Sequence, residues 1–424
     1  MFKMLIINVS INKIRLFIAF FIFFNAVLLR GQNVVEPRCG FDALWHKTDS
    51  LVIKDVQQFD NDLKRALNDN KMPLNNRSVI TIPVVVHIVN HPLDENVSDA
   101  VVLSQIDILN KCFNAKNSDL DKVPIAFKQL IAKQGIAFCL ANKDTNGLPT
   151  MGITRTKTTI KNIGLTKNLF ETQLGGSNNW NPDKYLNIWV ANTGESITGI
   201  GSYPNLVPAN QSGVVIHPRY FGKNASTKFG LGRVAVHEIG HYFGLYHTWG
   251  QMNDTICLTN DDVDDTPPQL YAYVGCPTYP QYSCNASNLF MNYMDYVNDP
   301  CMFLFTEGQM QRMLKTIEVY RSGLLTANAA CVDTSNDNPL NCLIFPNPTS
   351  GQLKIEWLLD QNQNTEGGTV QVFNLLGQQL MQQLIPSQTG YVQLDMQSFS
   401  SGVYYLFVRI SGKGVFSQKI IIIK

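Results

Sequence analysis

The stretch H-E-I-G-H-Y-F-G-L-Y-H, residues 237–247, decides how this chain is read. His237 and His241 stand four apart, so on an α-helix both imidazoles leave the same face and can share one metal ion. Glu238 lies between them, within reach of a water held by that metal. Gly244 can adopt the left-handed conformation that ends a helix, and the turn then brings His247 round as a third ligand. Three protein ligands leave one coordination position open, which marks a catalytic rather than a structural zinc. Zinc makes water reactive near neutral pH, and Glu238 is placed to take its proton and pass it to a leaving amine. A bare H-E-x-x-H turns up by chance on core helices, but adding a glycine and a third histidine at fixed offsets makes chance a poor explanation.

The helix carrying this motif is expected to begin near residues 229–232, with Val234, Val236, Ile239 and Phe243 burying its flanks. Upstream, V-I-T-I-P-V-V-V-H-I-V (79–89) is β-branched and apolar on both faces, as a strand in a covered sheet must be. Residues 98–113 have helical spacing, with Ser98 as N-cap. I-A-F-C-L-A (136–141), Y-L-N-I-W-V-A-N (185–192) and G-V-V-I-H-P (213–218) predict further strands. The fold class is therefore α/β (α+β), a mixed twisted sheet with an active-site helix, over residues 77–332. Residues 333–342 form a turn-rich linker. Beyond it, residues 343–424 alternate apolar and polar positions between tight turns, the pattern of a small antiparallel β-sandwich.

At the other end, Lys3, Lys13 and Arg15 precede a short apolar run, Leu16–Leu29. Residues 1–32 read as a signal peptide, with a retained membrane anchor as the alternative. Residues 33–76 are polar, with helical tendency over 49–70 but little apolar periodicity, and read as a pro-segment. The chain has 424 residues and a formal net charge of +1, with no basic tract, which argues against nucleic acid as a partner. Its nine cysteines fit an oxidising, extracellular setting, and an odd number leaves at least one without an intrachain partner.

With N-L-F-M-N-Y-M-D-Y-V-N-D-P-C-M-F-L-F-T-E-G-Q (288–309) downstream of the histidines, residues 79–320 resemble the metzincin metalloproteases, in particular the pappalysin family and its ulilysin-like (cytophagalysin) branch. The resemblance implies a zinc endopeptidase acting on proteins or peptides, in which Met294 is the Met-turn residue and the Tyr296 phenol stabilises the oxyanion. Met291 and Tyr293 repeat the same spacing; Met294–Tyr296 fits the family better. It also implies that Asp299 lies at the base of the S1′ pocket and selects Arg or Lys at P1′; a turn aspartate before Pro300 is the plain alternative. If so, cleavage between Asn76 and Arg77 could be autolytic.

The resemblance further implies disulfides Cys257–Cys284 and Cys276–Cys301. Cys331–Cys342 and Cys112–Cys139 are then pairs by elimination. Cys39 resembles the pro-segment cysteine that occupies zinc in the latent form, and it would be the unpaired one; pairing with Cys112 or Cys139 is the alternative. The acidic loop 260–269 offers Asp261, Asp262, Asp264, Asp265 and Thr266 as ligands for calcium, which the family binds nearby. Residues 343–424 resemble the C-terminal sorting domain of type IX secretion, carried by L-I-F-P-N-P-T-S-G, V-F-N-L-L-G-Q-Q-L and the final S-S-G-V-Y-Y-L-F-V-R-I-S-G-K-G-V-F-S-Q-K-I-I-I-I-K. This implies export through a Gram-negative periplasm to the surface or medium, with the secretion machinery as partner; a carbohydrate-binding sandwich is the rival. A monomer is expected. A surface adhesin on an inactive protease scaffold is the competing function, against which the intact histidines and Glu238 weigh.

Overall fold

The computed structural model describes residues 39–40, 50–68, 79–331 and 342–424, except 134, 148–149, 151, 224–227, 251–256, 259, 358–366, 375–377, 387–389 and 411–413. The expected signal peptide, the Asn76–Arg77 junction and most of the linker lie outside the described residues. Among the described residues no helix is long and apolar enough to cross a membrane.

Residues 80–216 hold a six-stranded sheet. Its strands are β1 (Ile80–Asn90), β2 (Ile136–Leu140), β3 (Ile153–Lys157), β4 (Leu186–Ala191), β5 (Gly199–Gly201) and β6 (Val214–Ile216). The order is β2-β1-β4-β6-β5, with β3 pairing the far half of β1. All neighbours are parallel except β5, which runs antiparallel along β6 at the edge. β1 is buried over Ile82–Val89, as its two-sided apolar sequence requires. β3 and β5 were not foreseen. β3 has few apolar residues, and β5 is the three-residue Gly-Ile-Gly, too short to show a period.

Among the described residues there are four α-helices, α1 (Ser50–Asn68), α2 (Asp99–Phe113), α3 (Arg233–Tyr242) and α4 (Glu307–Tyr320), with α1 packed on α4. Ser98 caps α2 by accepting from the Val101 amide, as expected. α4 opens with a full capping box, Thr306 and Gln309 satisfying each other's backbone amides. The prediction for residues 49–70 needs one correction. α1 does carry an apolar stripe, Val56, Phe59 and Leu63 buried and Leu67 partly so, but it holds only four positions on a polar helix.

The short hairpin β7 (Tyr282–Ser283) and β8 (Ala286–Ser287) follows in chain order, and residues 342–424 hold two antiparallel sheets, β9 to β15. β13-β10-β9 comprises Tyr391–Asp395, Gln352–Trp357 and Cys342–Phe345. β12-β11-β14-β15 comprises Gln379–Ile385, Gly368–Phe373, Gly402–Ile410 and Gly414–Ile422. Their inward positions, such as Leu353, Ile355, Val370, Val372, Leu406 and Val408, make a separate core. Trp357 belongs to that core.

The elimination pairs among the cysteines are wrong. Cys139 on β2 is bonded to Cys331, 192 residues away, while Cys112 and Cys342 are buried thiols outside the three disulfides, and Cys39 is buried with its thiol on Glu238. Cys112 sits in the core on α2, and Cys342 opens the C-terminal sandwich, so neither reaches the partner assigned by elimination. Cys257–Cys284 and Cys276–Cys301 are bonded.

Candidate metal and catalytic centre

α3 is buried along its whole length. Its N-cap is Gly232, which has no side chain to accept from the first amides. Asp299 does this from another segment: its Oδ2 accepts from the Leu231 and Arg233 amides at 2.9 and 3.1 Å. The Arg233 guanidinium donates to the Asp299 carbonyl at 2.6 Å and to the carboxylate of Asp119 at 2.6 Å. At the other end Gly244 takes φ +84°, and a Cβ there would meet Thr316 Oγ1 at 2.6 Å and the Phe59 ring at 2.7 Å. Its carbonyl accepts from Arg312 Nε at 2.8 Å and from the Tyr203 hydroxyl at 3.1 Å.

The turn at Gly244 brings three imidazoles together. His241 Nε2 lies 3.1 Å from His237 Nε2 and 3.1 Å from His247 Nε2. His237 Nδ1 lies 2.7 Å from the Tyr293 carbonyl and His241 Nδ1 lies 2.8 Å from the Leu245 carbonyl. A carbonyl only accepts, so both Nδ1 atoms carry the proton and both Nε2 atoms present lone pairs. Burial and the neighbouring imidazoles hold His241 neutral, well below its ordinary titration range. Lone pairs facing one another at this spacing call for a cation. Cys39 joins them, its ligand atom and those of the three histidines lying within 4.8 Å of one another. A set of three nitrogens and one thiol fits zinc.

Glu238 is 1 % exposed, and Cys39 Sγ donates to its Oε2 at 3.4 Å. The backbone of residues 39–40 lies along edge strand β5, with the Gly40 amide donating to the Gly199 carbonyl at 2.9 Å. The closeness of β5 to α3 explains its glycines: a Cβ at Gly199 would meet Glu238 Cγ at 2.7 Å, and one at Gly201 the Glu238 carbonyl at 2.3 Å.

Met294 is fully buried beneath α3, and a Cβ on Gly240 would meet its Sδ at 2.4 Å. The Tyr296 ring stands 4.9 Å from the His247 ring and 5.9 Å from that of His237. Of the two Met-x-Tyr frames, this is the one at the histidines. Tyr293 instead packs in the core on Phe305, and only its carbonyl reaches His237. Asp295 fastens the turn, accepting from the Tyr296 and Tyr273 amides, Gln269 and Thr248. Burial pushes its carboxyl up to about 7 against the pull of those donors. Trp249 stacks on His247 at 4.4 Å. Gly199, Gly201, Gly240, Asp295 and Trp249 escaped sequence reasoning, because their work depends on contacts between distant segments.

Asp299 is 1 % exposed and, with Phe229, Val234, Val297 and Met302, lines a narrow cleft that reaches His237 and Glu238. The acids of loop 260–269 are not drawn to one point. Asp261 accepts from Thr266 at 2.6 Å, Asp262 pairs with Lys64 at 3.3 Å, and Asp265 accepts from the Gly308 amide at 2.8 Å. Among the described residues only Cys39 and the three histidines form a metal-binding group of histidine, cysteine and carboxylate ligands.

A three-histidine centre on a buried helix, with a carboxylate between the first two and a methionine turn beneath, defines a metzincin-type metalloprotease fold. The chain belongs to the pappalysin family. The family described as pregnancy-associated plasma protein-A (peptidase M43) matches residues 172–318. A promirolysin mutant from Tannerella forsythia superposes with TM-score 0.63 at 36% identity, covering 69% of this chain and 99% of that one. Mature mirolysin in complex with a cleaved peptide gives TM-score 0.57 at 40% identity, covering 60% of this chain and 99% of the other. An extracellular metalloprotease of Arthroderma gypseum is 26% identical over 306 residues, 69% of this chain and 88% of its own. One of Arthroderma otae is 34% identical over 145 residues, so the chain spans about half of that relative's length (53%) and 32% of its own residues align. Residues 343–424 match the secretion system C-terminal sorting domain, which marks the chain for export through type IX secretion in a Gram-negative bacterium.

Proposed function

We propose that this chain is a secreted zinc endopeptidase, made latent by its own N-terminal segment. The observation that carries the reading is the convergence of His237, His241 and His247 on one point beside Glu238. These three histidines would hold zinc. When bound, it supplies Lewis-acid activation of water and of the scissile carbonyl. Glu238, buried beside them, takes the proton of the attacking water at its carboxylate and delivers it to the leaving nitrogen. Tyr296 donates from its hydroxyl to the developing oxyanion. Met294 packs under the histidines, and Asp295 holds the turn that carries both residues. Loss of casein cleavage on chelation and in Glu238→Gln is the expected result. Cleavage undiminished in Glu238→Gln would overturn the reading.

Selection of Arg or Lys at P1′ belongs to the same proposal. It is supported by a cleft with apolar walls and the Asp299 carboxylate among its lining residues. A peptide library cut with no basic preference at P1′ would refute it. Latency through Cys39 is supported by the thiol's place among the histidines and on Glu238. Cys39→Ala is expected to be active without processing. Calcium in loop 260–269 is supported by two buried carboxylate oxygens that have no hydrogen-bond partner among the described residues, Asp261 Oδ2 and Asp265 Oδ1. An unchanged Tm with a calcium-selective chelator would remove it.

A further inference from the structure

Cys39 is not the whole attachment of the N-terminal segment. α1 lies against α4 and the Gly244 turn, well along the chain from the thiol. Phe59 is fully buried, its ring 4.9 Å from those of both Tyr203 and Tyr320. Val56 and Leu63 are buried in the same cluster with Tyr246 and Trp249. Next to Phe59 in sequence, Asp60 accepts from Arg312 Nη2 and from the Tyr246 hydroxyl, each at 3.0 Å. The Tyr320 hydroxyl donates to Asp62 at 2.9 Å, and Lys64 reaches Asp262 at 3.3 Å. Arg312 is itself 1 % exposed and donates to the Gly244 carbonyl, so the guanidinium that Asp60 meets is fixed in place from the other side.

We infer that Tyr203, Tyr246, Arg312 and Tyr320 form a helix-binding site whose occupant is residues 50–68, and that it holds this segment independently of Cys39 and of any metal. The ligand chemistry is an amphipathic helix presenting an aromatic residue followed directly by an acid. An aromatic ring in an apolar pocket beside a buried charge pair is how a few residues dominate an interface. Cutting the chain between α1 and β1 therefore does not by itself free the centre. The cut segment stays bound until the helix leaves or is degraded. This rests on reading residues 33–76 as a pro-segment and adds a second, metal-independent lock to it.

The test uses the secreted full chain with a site-specific protease sequence placed within residues 70–76, in a Cys39→Ala, Glu238→Ala background that removes both the thiol and autolysis. After cutting, gel filtration at micromolar concentration in a chelator reports whether the N-terminal fragment travels with the catalytic chain. Co-elution is expected, and adding Phe59→Ala and Asp60→Ala should weaken retention at least about 100-fold. The milder Asp62→Asn, which is not buried in the cluster, should speed dissociation a few-fold. Loss of the fragment from the Cys39→Ala, Glu238→Ala chain as complete as from the chain that also carries Phe59→Ala and Asp60→Ala would overturn the inference. So would full retention despite both added substitutions. Co-elution needs no activity. A cut chain with intact Glu238 that stays inactive after the fragment is displaced would instead indict the proteolytic reading.

Discussion

The two ends of α3 are built around the same device and differ in who supplies it. Each end is held by a buried arginine, Arg233 at the start and Arg312 behind the Gly244 turn. Arg233 pairs with Asp119 at 2.6 Å, and both belong to the catalytic region. Arg312 pairs with Asp60 at 3.0 Å, which belongs to the N-terminal segment. Taking a charge out of water costs several kcal/mol unless a partner repays it. With residues 33–76 read as a pro-segment, the pairing at the start of the helix outlasts processing, and the pairing with Asp60 at its end lasts only while α1 is in place. The end that can change is the one whose turn places His247.

The chemistry between the two ends should give the largest response. Glu238→Gln keeps the shape of the side chain and removes the base, so peptide cleavage is expected to fall about 10²–10⁴-fold, with the melting temperature within a few degrees of the parent. A large drop in melting temperature would mean that Glu238 belongs to the scaffold of α3 and not to the reaction. Next is the permanent end. Asp119→Ala strands Arg233 and is expected to cost about 3–5 kcal/mol in urea unfolding, alike in the full chain and in the chain cut after α1. A cost that appears in only one of the two forms would erase the distinction between the ends.

A third buried polar residue is held by neutral partners and sharpens the contrast. His87 on β1 meets Thr154 at 2.8 Å and Asn187 at 3.0 Å, stacks on Trp189, and burial holds it down at about 4 from the ordinary 6.5. The unfolded imidazole takes a proton at 6.5 and the folded one only near 4. As pH falls through that window the unfolded state binds more protons, so stability present above 6.5 is lost toward 4. The expected loss is about 3 kcal/mol. His87→Gln should flatten that part of the pH–stability curve relative to the parent, both measured with metal chelated; identical slopes would assign the acid sensitivity elsewhere.

What could be read from the sequence follows the same division between local and distant. The spacing 237–241–247 is local, so the meeting of the three histidines beside Glu238 and the glycine that turns the chain were legible from one helix and one turn. The strands β1, β4 and β6 were legible because burial on both faces leaves a continuous apolar run. Arg312 was not, because its partners Gly244 and Asp60 lie 68 and 252 residues away. The Cys139–Cys331 bond, across 192 residues, was lost for the same reason, and elimination among cysteines could not replace geometry. Asp299 was legible as an acid beside the site through the family resemblance. Its capping of α3 was not, since Gly232 gives no hint that its cap comes from another segment.

The smallest effect is the most discriminating, because it depends on the state of the chain. In the uncut chain Asp60→Ala removes the carboxylate from Arg312 and leaves the Tyr246 hydroxyl without its acceptor, with an expected cost of about 1–3 kcal/mol. Asp60 is partly open to water, 15 % exposed at its side chain, so solvent takes up some of the loss and the cost stays below that of Asp119→Ala. Once α1 has been removed, position 60 is gone with it, and parent and variant must unfold at the same urea concentration. The catalytic chain then keeps an Arg312 that has lost a partner, and it should be less stable than the intact precursor by at least the cost measured for Asp60→Ala, since Phe59 and Leu63 leave as well. Equal stability of precursor and cut, stripped chain would mean that the far end of α3 is compensated from within the catalytic region after all, Asp261 being the buried acid near enough to Arg312 to feel its charge.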